Sequence, residues 1–127
     1  MPVFGPFAAG PPVSRTLSLG TAYRASNPAL PAVVTVNITS TASISLSGGT
    51  TNSADIVVGP TNAVSGGTGS VVAKYSNSNT GTLTIGLNLS TISAVPCVFD
   101  LPAGYWFAVR QTSGTVSITS AFDQTLG

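Results

Sequence analysis

From Ser14 onward, apolar and polar residues alternate along the chain with a period of two. The run Val34-Thr35-Val36-Asn37-Ile38-Thr39 sends its apolar side chains one way and its polar ones the other, and Ile44-Ser45-Leu46-Ser47 follows the same rule. So do Leu83-Thr84-Ile85-Gly86-Leu87-Asn88-Leu89 and Val116-Ser117-Ile118-Thr119. Such alternation buries one face of a strand and leaves the other in water. Between the runs lie Ser47-Gly48-Gly49, Gly59-Pro60, Ser65 to Gly69, Asn77-Ser78-Asn79, Pro102-Ala103-Gly104 and Ser113-Gly114. These are residues that tight reversals favour, because glycine accepts positive φ, proline presets φ and Asn or Ser bonds its own backbone. No window of a dozen residues combines helix formers with a 3.6-residue period, so little or no helix is expected.

The pattern predicts strands near 14–19, 32–39, 41–47, 53–58, 70–75, 82–89, 96–100, 105–110 and 115–122. Eight or nine short strands in one chain predict an all-β fold, an antiparallel β-sandwich or jelly roll. At 127 residues the chain suits one compact domain, expected over 14–127. Ahead of it, residues 1–13 hold Pro2, Gly5, Pro6, Gly10, Pro11 and Pro12, which favour an extended arm over a helix or central strand. Val3, Phe4 and Phe7 give that arm apolar anchors, and docking onto a partner or a neighbouring copy is the role expected of them, with a disordered leader as the alternative.

Charge narrows the function. Four basic and three acidic side chains, with no histidine, give a net charge of +1, and 43% of residues are hydrophobic. A polyanion partner needs clustered Lys or Arg to displace counterions, so no nucleic-acid binding is expected. Low charge gives little protection against self-association, so a homo-oligomer is expected. The Pro- and Gly-broken start has no basic region or long apolar run, which predicts neither a secretion signal nor membrane insertion.

Catalytic chemistry finds few candidates. Without histidine the usual base for a Ser or Cys nucleophile is missing. Asp100 and Asp123 are the one carboxyl pair worth weighing for glycoside hydrolysis, but Asp100 reads better as a turn residue before Leu101-Pro102-Ala103-Gly104. Three scattered aspartates and one cysteine do not make a metal site, and Gly66-Gly67-Thr68-Gly69 lacks the Lys-Ser/Thr that a phosphate loop carries. No enzyme activity and no cofactor or metal is expected. Cys97 has no partner for an intrachain disulfide and reads as a small buried residue in a strand.

Tyr105-Trp106-Phe107 is the densest aromatic cluster. In a strand Tyr105 and Phe107 share one face and Trp106 takes the other, so Trp106 is a candidate assembly contact and Tyr105 a candidate ligand contact, unless both faces are simply covered. Tyr75, Asn77 and Asn79 read as a hairpin tip offering phenol and amide groups to a glycan, and the loop around Thr112 is expected to face outward.

Three stretches carry a resemblance: Leu17-Ser18-Leu19-Gly20-Thr21-Ala22-Tyr23-Arg24-Ala25, the strand pair from Val33 to Leu46, and Leu101-Pro102-Ala103-Gly104-Tyr105-Trp106-Phe107-Ala108-Val109-Arg110. On these the chain resembles small tailed-bacteriophage virion proteins and modules associated with phage tail fibres. The resemblance implies a virion part made in the host cytoplasm, with other virion proteins and copies of itself, a trimer for example, as partners. A tail fibre, spike or tip component that contacts host surface polysaccharide is the leading expectation. A capsid decoration protein that staples major capsid subunits is the alternative, and a free-standing lectin-like module is the third.

Overall fold

The computed structural model describes residues 10–45, 48–79 and 89–126. Eight strands are present among them: β1 (Val13–Arg15), β2 (Tyr23–Arg24), β3 (Ala32–Ser45), β4 (Gly48–Gly59), β5 (Ser70–Asn79), β6 (Leu89–Leu101), β7 (Trp106–Ser113) and β8 (Ser117–Thr125). All pairings are antiparallel. One sheet has the order β1-β8-β3-β6. The other has the order β2-β7-β4-β5. The two pack as a sandwich, and the β3–β4 hairpin, with Ile44 opposite Gly49, joins them.

Alternation places the core. In β3 the even positions Ala32, Val34, Val36 and Ile38 are buried, while Val33, Thr35, Asn37 and Thr39 on the other face are half-exposed. Ala54, Ile56 and Val58 of β4, Phe107 and Val109 of β7, and Cys97, Phe99 and Leu101 of β6 meet them from across the sandwich or beside them in the sheet. Phe99 meets Phe107 edge to face at 5.4 Å. Each fully buried Val, Leu, Ile or Phe contributes about 1.5–3 kcal/mol, so this layer supplies most of the driving force for the fold.

Several expectations are corrected. The strands expected at 32–39 and 41–47 are one continuous strand, β3. The strand expected at 14–19 keeps its ladder only over Val13–Arg15, although Leu17 and Leu19 still pack on the core. β2 is two residues long and falls outside every expected strand. Helical structure is limited, among the described residues, to a 3-10 turn at Asn62–Gly66. The expected strand at 82–89 lies outside the described residues except for Leu89, as do Val3, Phe4 and Phe7. Gly10 donates its N–H to the Thr125 carbonyl at 2.7 Å, so the segment expected as an arm meets the sheet from that residue on.

The 3-10 turn covers part of the outer face of the β2-β7-β4-β5 sheet. A register shift between Ile56 and Val57 leaves Val72 as the extra residue opposite β4, and Val57 lies with Ala108 under Val64 of the turn. Gly67 ends the turn at φ 95°, and a side chain there would run into the Arg110 guanidinium. The positive φ favours glycine, whereas the guanidinium, at the end of a flexible side chain, can swing aside.

Candidate functional site

The two flanks of the sandwich are built differently. On one, β1 and β2 are the edge strands and the chain brings a carboxylate inside. Ala121 and Asp123 share the inward parity of β8, and Asp123 is fully buried. Arg15 Nη1 donates to its Oδ2 at 2.6 Å, and the Ser26 N–H and Oγ–H donate to the same oxygen, each at 2.9 Å. Its Oδ1 is buried with no hydrogen-bond partner among the described residues. The pair fastens β1 and the segment after β2 to β8. Tyr23 stacks at 6.0 Å from Phe107 on the same side.

On the other flank the edges are β5 and β6, and a polar knot joins the sheets. The Tyr75 hydroxyl donates to the Ser93 carbonyl at 3.0 Å and lies 2.7 Å from Ser40 Oγ. Asn77 Nδ2 donates to the Ser40 carbonyl and Oγ at 3.1 and 3.2 Å. With its one proton directed at Ser93, the tyrosine oxygen accepts from the serine. Further along the sandwich this flank stays open. Val95 stands on the inward parity of β6 opposite the buried Ile38, yet is 41% exposed. Ile92 and Val98 on the outward parity are 75% and 58% exposed, and Val71 and Val72 of β5 are exposed as well. Asp100 is the one charged residue on the outward parity of β6.

The outer faces differ in the same sense. Across the β2-β7-β4-β5 sheet, Asp55 has Lys74 and Arg110 as its cross-strand neighbours, and the Arg24 guanidinium lies 4.9 Å from the Trp106 ring centre. Three of the four cations are on this sheet. The β1-β8-β3-β6 sheet presents Thr35, Asn37, Thr39, Ala94, Pro96 and Val98 outward.

Two expected contact residues are interior. Tyr75 and Asn77 do not form a hairpin tip; they lie within β5, buried, with the phenol and amide committed to the knot. Asn79 is the last residue of β5, opposite Thr50. Trp106 and Phe107 take opposite faces as expected: Phe107 is in the core, and Trp106 is half-buried against the cluster of Val57, Val64 and Ala108. Tyr105 precedes the strand and is exposed. Thr112 is exposed in β7, its Oγ1 2.6 Å from Ser53 Oγ.

Cys97 is buried, as expected, and burial pushes its thiol above the usual value, which keeps it protonated and unreactive. Asp100, expected as a turn residue, is the penultimate residue of β6, exposed and on the opposite parity of its sheet from buried Asp123. Among the described residues no three metal-binding side chains cluster, and no helix is long and apolar enough to cross a membrane.

The buried ion pair and the apolar strip on β6 are features the sequence reading missed. Asp123 was recoverable from its parity with Ala121. The strip had a weaker signal: Val95-Pro96-Cys97-Val98-Phe99 has apolar residues on both parities, which marks a strand covered on both faces or exposing one.

No family model, curated protein or solved structure matches the chain.

Proposed function

We propose that the protein is a non-enzymatic structural part of a tailed-phage virion, a tail fibre, spike or tip component that works by assembling. The observation that carries this reading is the open β5/β6 flank, where large apolar side chains stand in solvent on a chain with very few charges. Exposed apolar side chains on the strands of this flank hint at an interaction surface. The virion context rests on the resemblance of the Leu17–Ala25, Val33–Leu46 and Leu101–Arg110 stretches, and a small β-sandwich stitched by buried polar contacts suits a part that must hold its shape in a particle.

Contact with host surface glycan falls to the exposed Tyr105 and Thr112, because Tyr75 and Asn77 are used inside. That loss weakens the lectin-like reading, which needs aromatic and amide groups concentrated at one exposed site. Labelled antibody and electron microscopy of intact particles test the proposal. Label at the tail is the expected result. Label spread over the head would replace it with the capsid decoration reading, and unlabelled particles would remove the virion role.

A further inference from the structure

The net charge of +1 averages over an uneven arrangement. Arg15 and Asp123 pair with each other inside the sandwich. Asp100 stands on the outer face of the β1-β8-β3-β6 sheet. The remaining cations, Arg24, Lys74 and Arg110, all stand on the outer face of the β2-β7-β4-β5 sheet, with Asp55 as the one carboxylate beside them. Among the described residues, none of these four side chains makes an ion pair. The fold therefore leaves positive charge concentrated on one face and unneutralised.

Strand β7 sets the cations out in a line. Arg24 lies over the Trp106 ring at 4.9 Å, and an arginine held over an aromatic ring keeps its N–H groups for a planar carboxylate. Arg110 follows on the same face of β7, roughly 13 Å along the strand at the usual rise per residue. The 3-10 turn stands between them over Ala108, and the Arg110 guanidinium lies beside Gly67 at its end. Exposed Tyr105 precedes Trp106, and Thr112 with Ser53 places hydroxyls beyond Arg110. The two residues left for glycan contact thus bracket the cations.

We propose that this face binds an acidic polysaccharide, with Arg24 and Arg110 each taking a sugar carboxylate and Lys74 adding charge. The inference rests on the host-glycan reading and names the class of glycan. A polymer is required because the turn separates the two guanidinia, so one small carboxylate cannot engage both. Duplex DNA carries one charge per about 1.7 Å of its axis and rewards dense basic clusters, whereas an acidic polysaccharide spreads its charge one per sugar at most, which suits three dispersed cations.

Biosensor binding of the full chain to immobilised polygalacturonate, with neutral dextran and duplex DNA alongside, tests it. Binding to polygalacturonate that weakens as salt rises, and none to dextran, is expected. The double variant Arg24→Gln, Arg110→Gln is expected to stay folded and bind about tenfold more weakly. Asp55→Asn, which removes the one carboxylate of the face, is expected to bind more tightly. Asp100→Asn makes the same change in net charge on the opposite face and is expected to bind as the unaltered protein does. No binding to polygalacturonate, equal binding to dextran, tighter binding to DNA, a double variant that binds normally, or an Asp100→Asn variant that gains as much as Asp55→Asn would each overturn the site. Binding to polygalacturonate with unlabelled particles would remove the virion reading and leave the site standing, and label at the tail without that binding would do the reverse.

Discussion

The two flanks of this sandwich solve the same problem, holding the edges of two sheets together, in different ways. The β1/β2 flank buries an ion pair, with Arg15 and Ser26 converging on one oxygen of Asp123. The β5/β6 flank uses the Tyr75 hydroxyl and the Asn77 amide at one level and leaves Val95, at the next, in solvent. A charge taken out of water makes the first flank costly to disturb. Neutral hydrogen bonds and exposed valines make the second cheap to disturb and sticky. The costly buried charge and the exposed apolar side chains therefore lie on opposite sides of the molecule.

The largest effect is expected at the closed flank. Asp123→Ala removes the carboxylate that pairs with the mostly buried Arg15 side chain, and is expected to cost about 3 kcal/mol in chemical denaturation. Replacing both partners with apolar residues, as in Arg15→Met with Asp123→Leu, should cost much less, because neither charge is left alone. A double variant as unstable as the single one would show that the pair itself, rather than the stranded charge, dominates.

Trp106→Ala, on the outer face of the β2-β7-β4-β5 sheet away from the β5/β6 flank, is expected to lower stability by about 2 kcal/mol by uncovering Val57, Val64 and Ala108. Its oligomeric mass should not change, which separates it from the β6 strip. Tyr75→Phe is expected to cost about 1 kcal/mol, since the Ser93 carbonyl keeps the Thr39 hydroxyl and Ser40 Oγ keeps the Asn77 amide.

The smallest effect concerns Cys97. Burial raises its folded pKa, so in alkaline solution the native state holds a proton that an unfolded thiol has already lost. Its contribution is present below the ordinary thiol value of about 8.5 and is lost as pH rises through the folded pKa. Thermal unfolding across that range should show the slope, and Cys97→Ala should remove it.

Much of the sandwich was legible from alternation, and the errors have identifiable causes. The split between 32–39 and 41–47 came from Ser40, a polar residue at an inward position where the apolar rhythm breaks. The strand continues because Tyr75 and Asn77 supply that serine with partners from the other sheet. Tyr75-Ser76-Asn77-Ser78-Asn79 imitates a turn for the same reason: amides and hydroxyls suit reversals, and they equally suit a buried knot once a partner strand is close. The open flank was hidden more deeply. Val95 is exposed because β5 and β6 end their respective sheets, and strand order is a property of long-range pairing that no local pattern records.

Amide hydrogen exchange on the full chain, compared between dilute and concentrated solution, tests the division between flanks most directly. The account predicts that amides from Ile92 to Val98 on β6 gain protection as concentration rises, while those of Val13–Arg15 on β1 stay as they were. Protection independent of concentration on β6, or gained on β1 instead, would contradict it.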